Sequence, residues 1–306
     1  MERGHPPRPP DGRRCRRPGP STPAVRLAPV PPATYLSEIL AAHRARAHLD
    51  HRSLDALLAE AQAAPPPRPF AARIEEPAGG TLGVIAEIKR RSPSKGDLDP
   101  GLDPATVAAD YEAGGAACLS VLTDAGFFGG SPADLAAARA RCSLPVLRKD
   151  FTVGPADVCD ARIMGADAVL LIVAALSDEE LATLLTLAEE LSLDALVEVH
   201  DHAELDRALA AGAALVGVNQ RDLTTFAVDP GRALSLAPDI PPEVVAVAES
   251  GVHGASDARR LAGAGYQAVL VGEWLVRAAD RRAAVAELAG HTVGRRHPGH
   301  GPAARG

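Results

Sequence analysis

Lysine is nearly missing from this chain. Of its 32 Lys and Arg residues only three are Lys, at Lys89, Lys95 and Lys149. Asn occurs once, at Asn219, Trp once, at Trp274, and aromatic residues make up 3% of the chain. The four Cys (Cys15, Cys118, Cys142, Cys159) show no CxxC or other metal-ligand spacing, which argues against a zinc ribbon or a disulfide framework. They read as buried or incidental thiols in a reducing compartment, and a cytoplasmic setting is expected. No HExxH motif occurs, so no metal is expected. The longest fully apolar run, "AVLLIVAAL" at 168–176, is too short to cross a bilayer. A net charge of −7 and a pI near 5.8 argue against nucleic-acid binding.

What is present is an ordered rhythm between two irregular ends. Residues 1–33 are rich in Pro and Arg and have no hydrophobic period, so they are expected to be disordered, or to reflect an over-extended start. Residues 291–306 read as a similar loose tail. "TYLSEILAAHRARAHL" and "SLDALLAEAQAA" carry helical spacing and predict two helices in an N-terminal extension over 34–80. From 81 to 290, eight Val/Ile/Leu-rich runs alternate with Ala/Leu-rich helical stretches. The runs are "VIAEIK" (84–89), "CLSVLTD" (118–124), "PVLRKD" (145–150), "AVLLIVA" (168–174), "ALVEVH" (195–200), "LVGVNQ" (215–220), "VVAVAES" (244–250) and "AVLVGEW" (268–274). Several helices run into Gly-Ala pairs (Gly115, Gly165, Gly212), the chemistry of a glycine C-cap. Eight successive βα units with apolar strands predict an α/β fold, a (β/α)8 barrel.

In such barrels reactive groups gather at the C-terminal strand ends. Those ends carry Glu87 and Lys89, then Lys149, then Glu198 and His200, then Asn219 and Arg221, and finally Glu249-Ser250-Gly251. Charged groups in strand ends are costly to desolvate unless paired or used. Two of the three Lys and the sole Asn fall there, against a coding habit that otherwise favours Arg. Guanidinium hardly releases its proton, whereas an ammonium lowered toward neutrality by desolvation and neighbouring cations can act as a general acid. A purely structural Lys149 would instead pair with Asp150 or a rim carboxylate, and Glu87 would pair with Lys89. Strand parity separates the neighbours: if Lys149 points into the mouth, Arg148 points to the helix side. His200 reads as a loop residue, or as one that supports a neighbouring site residue, rather than as a ligand. Ser250, Gly251 and Gly272 expose main-chain N–H groups after strands 7 and 8, the usual phosphate site of barrels. Phe127, Phe128 and Phe151, with Pro93, are candidates for an aromatic wall. A phosphate at one side and an aromatic group at the other suggest an aryl sugar phosphate as the small-molecule partner.

The stretches "VIAEIKRRSPSKGDL", "SVLTDAGFFGGSPADL", "PVLRKDF", "LVEVHD", "VGVNQRDLTTFAVD", "AESGV" and "VLVGEWL" together resemble the indole-3-glycerol-phosphate synthase family of tryptophan biosynthesis, from about Thr34 to Leu288. The resemblance implies a barrel mouth partly covered by the N-terminal extension. It also implies decarboxylative ring closure of 1-(2-carboxyphenylamino)-1-deoxyribulose 5-phosphate. By matching position it assigns Lys149 as general acid and Glu198 as base of the dehydration, with Glu87, Lys89 and Asn219 completing the catalytic set. Ser92, Pro93, Phe128, Phe151 and Arg221 would bind substrate, and Ser250, Gly251, Gly272 and Glu273 the phosphate. No cofactor is implied, and association with other enzymes of the pathway is. Trp274 stands where the family usually has a small Ser. A phosphoribosylanthranilate isomerase on the same fold would need a Cys where strand 1 ends in Glu-x-Lys. A non-catalytic phosphate-binding barrel would be expected to have lost Lys89, Lys149 or Glu198.

Overall fold

A computed structural model describes residues 1–5, 35–75, 80–92 and 95–296. Contacts divide the chain into residues 34–306 and residues 1–33. Of the latter only residues 1–5 are described, and they are exposed and without regular structure.

The eight apolar runs form β1 (Gly83–Ile88), β2 (Cys118–Leu122), β3 (Val146–Lys149), β4 (Ala168–Ile172), β5 (Asp194–Val199), β6 (Leu215–Asn219), β7 (Val245–Glu249) and β8 (Ala268–Val271). Each pairs in parallel with its neighbours, and β1 lies between β8 and β2, so the sheet closes into a barrel with no edge. Nearly every strand residue is buried, the pattern of a parallel sheet covered by helices. Local chemistry sets where the helices start. Asp103 and Ser131 cap helices that begin with Pro104 and Pro132, and Ser177 and Glu180 form a reciprocal capping box. The expected glycine stops are present: Gly115, Gly165 and Gly212 all have φ near 88°, a left-handed turn that closes a helix before the next strand.

The extension holds three helices rather than two: α1 (Tyr35–His48), α2 (Leu54–Ala63) and α3 (Phe70–Glu75). The six residues of α3 are too few to show a period, and their position is set by packing. The first turn of α3 presents the Phe70 and Ala71 N–H groups to the Asp194 carboxylate, both at 2.9 Å. Phe70 is fully buried, and its carbonyl accepts from the Cys118 thiol. Asp194 and Cys118 begin their strands, so α3 plugs the bottom of the barrel. By contrast α1 sits at the C-terminal ends of the strands. His43 bonds Asp124 just past β2, and Arg44 bonds the Ala175 carbonyl and Glu180 past β4. The extension therefore spans from mouth to base.

The segment read from sequence as a loose tail is anchored along its first six residues. Thr292 bridges to Thr81, and the Arg296 guanidinium donates to the Val244 carbonyl at 2.6 Å and to Gln267 Oε1 at 2.9 Å. Those hydrogen bonds, which only the folded barrel presents, order a stretch with no period of its own.

Candidate active site

The strand ends converge on one pocket at the C-terminal mouth. The catalytic, substrate-binding and phosphate-binding residues expected from sequence line it, apart from Pro93, which lies outside the described residues; of the aromatic candidates, Phe127 does not. Lys149 is among the groups that line it. Nζ lies 2.8 Å from Glu198 Oε2 and 2.9 Å from Glu249 Oε2, so one ammonium joins β3, β5 and β7. Pairing with a rim carboxylate is thus real, but the partners come from across the barrel. Asp150, the adjacent candidate, instead bonds Thr123 and Arg148. Arg148 faces the helix side, as parity predicts, where it donates to the Asp157 carbonyl at 2.7 Å.

The electrostatics differ from the expectation of a Lys lowered by cations. Burial does disfavour the ammonium, but Glu198, Glu249 and Glu87 outweigh it and push Lys149 well above its ordinary value. The two carboxylates then part ways. For Glu198 burial opposes the charge, yet Lys149, His200 and an Asn219 hydrogen bond hold its carboxyl well below the usual range. For Glu249 burial raises the value, Lys149 lowers it and the Glu198 charge raises it again, leaving it at about 7. Two carboxylates compete for one ammonium, and the better-bonded one keeps the charge.

Asn219 explains the need for its residue type. Its amide donates to Glu198 Oε1 at 3.1 Å, while its oxygen accepts from Ser250 Oγ at 2.9 Å and Arg221 N–H at 3.0 Å. Only a side chain with both a donor and an acceptor can link Glu198 to the turn after β7. Ser250 and Gly251 both have positive φ, 65° and 71°, and Gln220 donates to the Ser250 carbonyl at 2.7 Å, fixing that turn. Glu87 and Lys89 pair with each other at the mouth, as the structural reading of Glu87 anticipated, and both face the pocket. Glycines make room for these carboxylates: a Cβ at Gly217 would collide with Glu249, and one at Gly272 with Glu87.

On the opposite wall Phe128 and Phe151 lie 6.3 Å apart in a tilted pair. Phe127, proposed with them, turns away and meets the edge of Tyr35 on α1. Phe226, in the loop after β6, lines the pocket in its stead. Ser92 is buried with its hydroxyl unpaired. Trp274 is half-buried at the rim, where it lines both this pocket and an adjoining groove with His253 and Glu273. His200 and His202, two apart in the chain, bond different carboxylates, Glu204 and Asp239.

Two features escaped the sequence. Glu249 was visible only as the first residue of an Glu-Ser-Gly turn, and its contact with Lys149 spans 100 residues. His43 is the other. Its Nε2 donates to Asp124 at 3.1 Å while Arg46 donates to Nδ1, and Asp124 in turn accepts the Phe127 and Phe128 N–H groups. The donor atoms of His43, Asp124 and Asp150 lie within 4.8 Å of one another, but Arg46 and Arg148 already supply positive charge there. The cluster is a joint that docks α1 on the mouth.

Known proteins share this arrangement's sequence and fold. A family model described as indole-3-glycerol phosphate synthase matches residues 36–288. A protein of that name from Rhodococcus jostii (strain RHA1) is 51% identical over 257 residues, covering 83% of this chain and 94% of the relative. One from Mycobacterium tuberculosis (strain ATCC 25177 / H37Ra) is 51% identical over 259 residues, covering 84% and 94%. Among solved structures, a thiamine phosphate pyrophosphorylase from Pyrococcus furiosus superposes with a TM-score of 0.51 at 16% identity. It covers 69% of this chain and 94% of its own, a likeness of fold alone. A match that runs from the first extension helix through the last strand, at half of all aligned positions, places the chain in the indole-3-glycerol phosphate synthase family.

Proposed function

We propose that this chain converts 1-(2-carboxyphenylamino)-1-deoxy-D-ribulose 5-phosphate into indole-3-glycerol phosphate, CO2 and water, a step of tryptophan biosynthesis. The observation that carries the reading is the Lys149 ammonium held between one ionised and one readily protonated carboxylate at the floor of the pocket. Ring closure needs a proton at the ketone oxygen as the aryl carbon attacks, and Lys149 is the donor in reach of the pocket floor. Loss of CO2 then restores the aromatic ring. Dehydration needs a second proton on the hydroxyl and a base for the adjacent methylene, and Glu198 is that base. Nothing in these steps requires an electron sink, so no cofactor is assigned.

Phe128 and Phe151 wall the aryl group, with Ser92 and Arg221 around it; Pro93, assigned to the same group from sequence, lies outside the described residues. Lys89, steered by Glu87, faces the aryl carboxylate. The phosphate takes the main-chain N–H groups of Ser250, Gly251, Gly272 and Glu273, where the left-handed turn after β7 is supported by Gln220. Residues 34–80 and 81–290 form the working unit. The same reading sets the enzyme in the cytoplasm beside the other enzymes of its pathway; no described helix is long and apolar enough to cross a membrane. Amadori isomerisation is disfavoured because it needs a thiol at the mouth. Cys118, Cys142 and Cys159 are buried, and none lines the pocket.

Purified protein incubated with the carboxyphenylamino substrate, with no metal added, is expected to develop the fluorescence of an indole product. No product under those conditions would overturn the assignment.

A further inference from the structure

The proposed reaction, on which this inference rests, consumes a proton in every cycle. The substrate enters with an ionised aryl carboxylate and a phosphate, and the product keeps only the phosphate, since carbon leaves as neutral CO2. Two protons go to the former ketone oxygen, one to form the hydroxyl and one to release it as water. One comes back from the methylene carbon to the base. The deficit of one must enter from solvent and reach Lys149 and Glu198, and the Glu198 side chain is 2% exposed.

A chain of titratable groups leads outward from that pair. His200 follows β5 two residues after Glu198. Its Nε2 lies 3.5 Å from Glu198 Oε1, a small ring rotation from a hydrogen bond, and that nitrogen is buried without a hydrogen-bond partner. On its other side Nδ1 meets Glu204 Oε2 at 2.9 Å, and the same oxygen accepts the His200 main-chain N–H at 2.8 Å. Glu204 sits in the first turn of the helix His202–Ala210, and Asp201 caps that turn by accepting the Glu204 N–H. Side-chain exposure rises along the series, from 2% at Glu198 to 11% at His200 and 16% at Glu204. Arg232 is the positive group that faces His200 from a third element, and it is itself tied to the Asn219 carbonyl. Burial disfavours a charged His200, but the Glu204 bond and the two carboxylate charges outweigh it, so its value lies above the ordinary one. An imidazole accepts a proton at one nitrogen and gives one up at the other, which no carboxylate pair in direct contact can do across this gap.

We propose that His200 is a proton relay, held by Glu204, that returns to Glu198 and Lys149 the proton each turnover consumes. It acts through Glu198 and touches no substrate, so it is a positioning and reloading residue.

His200→Ala and Glu204→Gln, each assayed with the carboxyphenylamino substrate beside the unaltered enzyme, test this. His200→Ala is expected to lower kcat about tenfold with KM held within about twofold, and added imidazole to restore most of it while leaving the unaltered enzyme unchanged. Glu204→Gln is expected to lower kcat about threefold, and the double variant to be no slower than His200→Ala alone. A kcat within twofold of the unaltered enzyme in both variants, or a loss in His200→Ala that imidazole does not relieve, overturns the relay. Should His200→Ala fail to fold, an unchanged kcat in Glu204→Gln is enough to overturn it. An unaltered enzyme that forms no product sinks the underlying reaction instead, so the two failures are distinct.

Discussion

The two ends of this barrel bury similar groups and treat them differently. At the bottom, Asp167 is fully buried and accepts the N–H groups of Arg68 at 2.6 Å and Val146 at 2.8 Å, with the Arg139 guanidinium as a third donor. Asp194 takes two more main-chain N–H groups from α3. At the mouth, Glu249 shares one ammonium with Glu198 and leaves its other oxygen buried and unpaired, as do the Ser92 hydroxyl and the His200 Nε2. Burial raises both Asp167 and Glu249 above the ordinary carboxylate range. A shifted carboxylate is therefore no mark of function by itself. What separates the ends is satisfaction: the lower network is closed, and the upper one has capacity left for a ligand.

The largest effect should come from breaking the mouth at its centre. Lys149→Arg keeps the charge and the ion pairs to Glu198 and Glu249 but cannot give up a proton, so kcat should fall about 1000-fold, or ~4 kcal/mol of transition-state stabilisation. Binding of indole-3-glycerol phosphate, read by fluorescence titration, should change little, and the unfolding midpoint should hold. Near-normal turnover would remove Lys149 as the acid. The matching change at the bottom is Asp167→Ala, which strands Arg139, the buried Val146 N–H and the part-buried Arg68 N–H. It should cost about 3 kcal/mol of folding stability, measured by denaturant titration, while kcat of the folded fraction stays unchanged. A fall in kcat without a loss of stability would mean the two ends are not separate in function.

This contrast also marks what the sequence could and could not disclose. The strands were legible because a closed parallel barrel needs near-continuous apolar runs, and "AVLLI" or "VAVAE" can hardly be anything else. Lys149, Glu198 and Asn219 were legible because their polar types sit at the ends of such runs. Charge state was not legible. Lys149 has carboxylates rather than cations beside it because β5 and β7 face β3 across the barrel, a closure no local window contains. Phe127 and Phe128 are neighbours of one type, and only the docking of α1 through Tyr35 and His43 decides which one turns from the mouth. The short α3 escaped for the same reason, since its six residues owe their helix to Asp194 and to the burial of Phe70 and Ile74 under the barrel.

Glu249 offers the finest probe of the difference between the ends, because its environment raises it to about 7. Below about pH 7 its carboxyl is protonated, and Lys149, Glu198 and Glu249 together carry no net charge. Above that pH the group ionises and the trio becomes negative. An added negative charge 2.9 Å from Lys149 Nζ holds the ammonium proton more tightly and makes it a weaker donor. The rate should therefore fall as pH rises through about 7. Glu249→Gln fixes the neutral form with nearly the same shape, so its kcat should stay within about threefold of the unaltered enzyme at pH 6 and lose that alkaline decline. Measured kcat profiles from about pH 5.5 to about 9 decide the matter, since the expected gap between the two proteins widens only on the alkaline side. Identical profiles would show that Glu249 does not set the donor strength of Lys149. A loss of stability as large as that of Asp167→Ala, with no change in profile, would make the mouth carboxylate as structural as the one beneath the barrel.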